Sequence, residues 1–313
     1  MKLSVILPCY NGAETIAVQL DALVQQQWSE DWEVIVVNNG STDNSVEIVE
    51  KYRDRLPNLH IVDAYTPPGP RLGVSHSYNT GLAAATGDAF VFCEADDQVA
   101  PNWLTGMAEA LSHYDLVTGS LEYTRLNDPW IVAAHGGGAQ SEGLLKVNHA
   151  PYLPFAYGCN FGMKRAVYEA VGAIDETFPC AWDMDYSFRA QLAGFSLHFA
   201  ADVVVHYRVR HSFKAIFRQS RKWGRDNPLI RKRYGVGMGK LELFRRTLGA
   251  STTLLQGLFV FGDKTKLAQW LFSLGWQVGE IEGLFQHFIF GFFEERLDRT
   301  KAPKSAQKIS LAP

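Results

Sequence analysis

Residues 89–97 read AFVFCEADD. An unbroken apolar run of this length, rich in aromatic and branched side chains, fits a strand buried on both faces, the kind from which parallel sheets are built. It runs straight into Glu94, Asp96 and Asp97. Crowded carboxylates repel one another and titrate abnormally, so a packed core gains nothing from them. A cation, or a ligand carrying one, gives the cluster a purpose.

Outward from this stretch the same strand–turn–helix rhythm repeats. LSVILPCY (3–10) is a continuous apolar strand that stops at Asn11 and Gly12, and ETIAVQLDALVQQ (14–26) then places Ile16, Leu20 and Leu23 on one helical face. WEVIVVNNG (32–40) is a second strand; its turn leads into the helix SVEIVEKYRD (45–54), with Asp43 or Ser45 placed to cap it. LHIVDA (59–64) is a third, short strand, and VSHSYNTGLAAA (74–85) a helix before the opening stretch. Such alternation predicts an α/β domain with a mainly parallel, Rossmann-like sheet flanked by helices.

Beyond residue 100, PNWLTGMAEAL (101–111) reads as a helix, LVTGSLEYT (116–124) as a strand and CNFGMKRAVYEAVG (159–172) as strand then helix. The segment 127–158 is rich in Gly, Pro and aromatics and suits a mobile substrate loop. SLHFAADVVVHY (196–207) is a last strand.

Ligands of open α/β sheets bind outside the carboxyl ends of the strands. Pro8–Glu14, Asn38–Asp43, Asp63 and Glu94–Asp97 all fall at such ends, so four segments are expected to converge on one crevice. Neither G-x-G-x-x-G nor G-x-x-x-x-G-K-[ST] follows the first strand, which removes the dinucleotide and P-loop readings. A metal-dependent nucleotidyltransferase would also use clustered carboxylates, but LPCYNGAET lacks the Gly-rich basic loop it needs.

The chain has 313 residues, 47% hydrophobic and 20% charged, with a net charge of −3, which argues against a nucleic-acid binder. Its four cysteines, Cys9, Cys93, Cys159 and Cys180, form no C-x-x-C pair and read as free thiols of a reducing, cytoplasmic compartment. MKLSVILPCYNG meets Pro, Asn and Gly too early for a signal peptide, and no window holds 18 consecutive apolar residues.

If the strand continues through Glu94 and Asp96, both project to the same side and make a hard-oxygen site suited to Mg2+ or Mn2+; otherwise the Asp residues cap the helix that follows Pro101. In AWDMDYSFRAQLAGF (181–195), Asp183 and Asp185 stand at a helix start. There they complement the dipole, or one of them serves as a general base, which requires reach to a hydroxyl and a raised pKa. Trp182 is placed to supply an apolar wall or to stack on a sugar ring. His206, at a strand end, is a candidate third metal ligand or pyrophosphate contact.

Together these blocks resemble the inverting glycosyltransferases of family 2, with the GT-A fold. SVILPCYNGAETI resembles the family's first strand and loop, IVVNNGSTDNS its hallmark turn, and GVSHSYNTGLAAATGDAFVFCEADD the block that ends in the metal-binding D-x-D. VGAIDETF and WDMDYSFRAQLAGF resemble the acceptor-side block with its catalytic E-D. The match covers roughly residues 3–210, a nucleotide-sugar half to about residue 100 and an acceptor half from about 101 to 210.

The resemblance implies that Tyr10 flanks the nucleobase, that Pro8, Asn11 and Glu14 line its pocket, and that Asn39 or Asp63 bonds base or ribose. It implies Asp96 as metal ligand with Glu94 in place of the first Asp, Asp97 in support, Asp183 as base, Asp185 and Arg189 as organisers, and His206 near metal or phosphate. The implied reaction moves a sugar with inversion from a UDP, GDP or dTDP sugar to a glycan or lipid-linked acceptor, in polysaccharide, cell-envelope glycan or glycolipid synthesis. Asn38 and Asn39 stand where the family is commonly acidic, Ser77-Tyr78-Asn79-Thr80-Gly81 lacks the Arg of A-R-N-x-G, and Trp182 replaces the first acid of E-D. A non-catalytic nucleotide-sugar or glycan-binding relative is the alternative.

From Arg208 to Arg233 there are ten Lys or Arg and one acid, Asp226. Within this run QSRKW (219–223) resembles the Q-x-x-R-W motif of processive synthases; Gln219 and Trp223 then contact an acceptor, or the segment is simply a basic helix with one Trp packed inward. Apolar stretches broken by charges and glycines occupy 248–293. The expectation is a basic, amphipathic helical extension over 211–298 that contacts the cytoplasmic face of a membrane through 211–293, or closes on the catalytic domain or another subunit, and a disordered tail over 299–313.

Overall fold

The computed structural model describes residues 1–56, 58–137, 139–236 and 262–290, with isolated positions between 249 and 260. The tail 299–313 and most of the first apolar stretch after 248 lie outside the described residues.

Four parallel strands form the first half of a central sheet: β1 (Leu3–Cys9), β2 (Trp32–Asn38), β3 (Leu59–Asp63) and β4 (Ala89–Phe92). They are not simply consecutive; the order runs β3-β2-β1-β4, so the chain crosses over after β3. The second half adds β5 (Gln98–Val99), β6 (Leu116–Glu122), β7 (Ala139–Gln140), β10 (Phe161–Lys164) and β11 (Leu197–His206). Strand β10 lies antiparallel between β4 and β6, β11 runs parallel to β6, β5 pairs antiparallel with β11 at the far edge, and β7 pairs antiparallel with the end of β6. The sheet is therefore mixed, with its parallel part where the sequence rhythm was strongest. A separate two-stranded ribbon joins β8 (Leu145–Lys146) to β9 (Pro154–Phe155).

The unalternating apolar runs have a simple cause. Leu3, Val5 and Leu7 of β1 point into one buried layer while Ile6 points into the other. Helices α1 (Ile16–Val24), α2 (Ser45–Glu50) and α4 (Trp103–His113) cover the first layer through Ile16, Leu20, Leu23, Val49 and Trp103. On the opposite face α3 (Val74–Ala84), α6 (Arg165–Val171) and α7 (Trp182–Leu192) supply Tyr78, Val167, Tyr186 and Phe188. Fully burying an aliphatic or Phe side chain contributes about 1.5–3 kcal/mol, so both layers favour the same register.

Four expectations need correction. Strand β4 stops at Phe92 and residues 95–97 turn back, so Glu94 and Asp96 do not alternate along a strand. The cap of α4 is Asn102, not an Asp of the acidic turn. Segment 127–158 is not all loop: it contains α5 (Pro129–His135), with Pro at the helix start, and the ribbon strands. The cap of α2 is Asn44, neither Asp43 nor Ser45: Asp43 accepts from the Ser45 N–H at 3.1 Å one residue ahead of the cap, and Ser45 is the first helical residue.

The extension opens with α8 (Phe213–Arg233), capped by Ser212, whose hydroxyl accepts from the Ala215 N–H at 3.3 Å. Helix α9 (Lys264–Leu284) packs along it in the same direction: Gly275 meets the Phe217 carbonyl, Gly279 that of Arg221, and Gly283 that of Arg225. A Cβ at Gly279 would stand 2.0 Å from the Arg221 oxygen, so only glycine permits this approach. Among the described residues no helix is long and apolar enough to cross a membrane.

Candidate active site

Parallel pairing sets Cys9 beside Asn38 and Asn38 beside Asp63, so three strands end level. Their loops are stitched together. Asn38 donates its side-chain N–H to Asp63 at 2.7 Å and accepts from the Ser41 N–H at 2.9 Å. The side-chain oxygen of Asn11, a residue with φ of 49°, accepts from the Thr42 N–H at 2.8 Å, and the Gly12 N–H donates to the Ser45 hydroxyl at 2.9 Å. Tyr10 is 43% exposed, with the Arg71 guanidinium 3.4 Å above its ring centre, a cation–π contact at the mouth of the crevice.

The other first-half residues divide by exposure. Glu14 and Asp63 are exposed, Pro8 is buried in β1, and Asn39 is buried with its side-chain N–H on the Leu72 carbonyl at 2.8 Å. The side-chain oxygen of Asn39 is buried without a partner.

The acidic turn lies at the end of β4. Glu94 accepts a hydrogen bond from the Tyr78 hydroxyl at 2.7 Å; burial, followed by the nearby charge of Asp96, pushes its pKa up to about 7. Asp97 is buried: one oxygen accepts from the Arg208 N–H at 2.8 Å and the other has no partner. Burial, and then Asp96, drive its pKa well above the usual carboxylate range. Asp96 is half-buried and forms an ion pair with Arg210, while its carbonyl accepts from the Arg208 side chain at 2.8 Å.

Asp183 faces the same crevice from the first turn of α7, close enough to Glu94 and Cys159 to act on both electrostatically. Its two oxygens accept from the Gly158 N–H at 2.9 Å and the Met184 N–H at 2.8 Å. Burial nevertheless outweighs these bonds and pushes its pKa up to about 6. The Gly158 contact depends on the missing side chain, since a Cβ there would stand 2.5 Å from the Trp182 ring.

Two anticipated ligand contacts are placed elsewhere. Trp182 is 4% exposed, packed on Tyr78 with ring centres 4.6 Å apart; it walls the site and has no open face for a sugar. Asp185 is fully buried and points away from the crevice, holding Arg189 at 2.8 Å and the Tyr234 hydroxyl at 3.0 Å, so it locks α7 to α8 rather than touching a nucleotide. His206 bonds Glu122 at 2.7 Å through Nδ1, which fixes the ring and leaves Nε2 outside that contact. In the extension, Trp223 stacks edge-on against Phe272, and Gln219 lines a cavity of about 230 Å³ with Ile131, Val209 and Phe272.

Among the described residues no three His, Cys, Asp or Glu side chains are gathered tightly enough to enclose a metal by themselves. The donors present still fit Mg2+ or Mn2+ of the kind held by one or two carboxylates plus substrate phosphates: Asp96 and Glu94 are hard-oxygen groups, and the unpartnered oxygen of buried Asp97 lies behind them.

The sequence reading passed over Tyr78, Gly158, Arg71, Arg208 and Arg210. For the last two a signal existed: in HYRVRH two Arg stand two apart, just past the end of a strand that reaches the crevice.

The glycosyl transferase family 2 model matches residues 4–172, and a glycosyl transferase family group 2 model matches 89–292. Glycosyltransferase AglE of Haloferax volcanii is 28% identical over 247 residues, 77% of this chain and 73% of that protein. For other curated relatives the match spans 59% of their length or less. Among solved structures, S. aureus TarS 1–349 in complex with UDP superposes with a TM-score of 0.54 at 19% identity, covering 93% of this chain and 92% of that one. Mannosyltransferase PcManGT from Pyrobaculum calidifontis, in complex with GDP-Man and Mn2+, gives 0.59 at 19%, covering 91% and 87%.

Proposed function

The chain belongs to glycosyl transferase family 2 and has the GT-A fold, and from that premise we propose that it transfers a sugar with inversion from a nucleoside-diphosphate sugar to an acceptor hydroxyl. The observation that carries the reading is Asp183: a half-buried carboxylate with a pKa of about 6, opposite a turn of three more carboxylates. A general base works best with a pKa near the working pH.

The loops after β1, β2 and β3 take the nucleoside, with Tyr10, Asn11 and Asp63 at its edge. Asp96 and Glu94 would hold a divalent cation, which when bound neutralises charge on the diphosphate oxygens. Asp183 accepts the acceptor's proton as its oxygen attacks the anomeric carbon from the face opposite the departing diphosphate. One displacement inverts that centre. Cys159, the thiol beside the acids, supports the direct route: burial and the charges of Asp97 and Glu94 hold its pKa well above the ordinary range, so it is no nucleophile.

UDP in the TarS structure and GDP-Man with Mn2+ in PcManGT support a nucleotide-sugar donor and Mg2+ or Mn2+ as cofactor. The acceptor is a glycan or lipid-linked glycan. Exposed Lys214, Arg218 and Lys222 of α8, with Ile281 and Phe285 exposed on and just beyond α9, support contact with an anionic membrane surface. Calorimetric titration with UDP, GDP and dTDP, with and without Mn2+, tests the donor half. One nucleotide is expected to bind, more tightly with Mn2+, and Asp96→Ala to weaken it. No binding by any of the three leaves the glycan-binding alternative instead.

A further inference from the structure

Arg210 occupies the carboxylate that the donor reading gives to a cation. Its guanidinium pairs with Asp96, and Asp97 and Glu94 also lie within reach of its charge. The residues on either side are pinned. The Arg208 N–H donates to Asp97 at 2.8 Å, the Arg208 side chain is spent on the Asp96 carbonyl at 2.8 Å, and the Val209 N–H donates to Asn127 at 2.8 Å. Two residues later Ser212 caps α8. The backbone around Arg210 is thus fixed while its side chain, 44% exposed, stays free to turn within the crevice.

We propose that Arg210 is an exchangeable counter-ion for the leaving diphosphate: it neutralises Asp96 while the site is empty, then moves to the diphosphate oxygens when the donor enters. This rests on the donor reading above. The exchange is favourable on simple grounds. A half-exposed ion pair contributes at most about 1 kcal/mol, whereas a guanidinium matches phosphate oxygens in a bidentate fork and gains from their higher charge. Vacating Asp96 also frees that carboxylate for the divalent cation. As the sugar–oxygen bond breaks, negative charge grows on the diphosphate and Arg210 is already in place to stabilise it. No covalent step is involved; the guanidinium keeps its proton throughout.

The exchange predicts effects of opposite sign, which a structural role does not produce. In calorimetry, Arg210→Gln is expected to bind Mn2+ alone more tightly than the unmodified protein, because nothing competes for Asp96. The same variant should bind the cognate nucleoside diphosphate without metal about tenfold more weakly, with the matching monophosphate little affected. Arg210→Lys should fall between, keeping the charge and losing the fork. Thermal melting of each variant confirms that it is folded. Equal weakening of metal and diphosphate, or no change in either, overturns the proposal while the donor reading stands. Failure of the unmodified protein to bind any nucleoside diphosphate removes both.

Discussion

Around the acidic turn, Glu94, Asp96, Asp97 and Asp183 crowd into one crevice, and every one is held by a named hydrogen bond or ion pair. Along the α8–α9 pair the important positions carry no side chain: Gly224, Gly275, Gly279 and Gly283 let two helix backbones meet. The first region is specified by chemistry and has room for isosteric change. The second is specified by volume at its glycines, with the Arg221–Glu282 ion pair between the same two helices. A substitution should therefore damage one property in each region and spare the other.

Asp183→Asn tests the chemical side and carries the largest expected effect. It keeps the shape but retains only one of the two acceptors that hold the Gly158 and Met184 N–H groups. Because it cannot take a proton, kcat should fall about 10²–10⁴-fold, with nucleotide affinity little changed and a small loss of Tm. Gly279→Val is the reverse case. Its side chain collides with the Arg221 carbonyl, and stability measured by urea unfolding should drop by about 3 kcal/mol. The folded fraction should retain its nucleotide affinity.

Asp185→Asn sharpens the contrast within a single helix. Two residues from Asp183, it is fully buried and bonded to Arg189; losing its charge should cost about 2 kcal/mol of stability without changing the pH dependence of turnover. That pH dependence is the mildest test. Asp183 acts as a base only when ionised and its pKa is raised, so activity is lost as pH falls through about 6. At saturating Mn2+, which displaces the proton of Glu94, the rate should rise about tenfold between roughly pH 5 and 7 and then level off, and this acidic limb should vanish in Asp183→Asn.

The same contrast explains what was legible in the sequence. Parallel strands buried on both faces leave long apolar runs, and turn residues must follow them, so β1, β2, β4 and the convergence of their ends were readable from LSVILPC, WEVIVVN and AFVF. Only the resemblance to the E-D block set Asp183 apart from Asp185, though an acid at the start of α7 was itself readable. The partners of these groups were not: Arg210 lies 114 positions from Asp96 and Gly158 lies 25 from Asp183, and no local pattern records such pairings. Asp185 shows the limit in the other direction. Its spacing from Asp183 is identical in kind to that of a catalytic pair, and only the packing of Arg189 and Tyr234 around it reveals a structural role. The glycines of α9 read as interruptions of an apolar helix until the backbone of α8 is seen against them.

The burial of Glu94 at the end of β4 has a consequence for how binding heats are read. With a pKa of about 7, Glu94 carries a proton on about half of the molecules at neutral pH. A divalent cation docking on that carboxylate expels the proton into solution. The enthalpy measured near pH 7 therefore includes the ionisation heat of the buffer. Titrations in two buffers of different ionisation enthalpy should diverge there, and the difference should disappear at about pH 9, where Glu94 is already ionised.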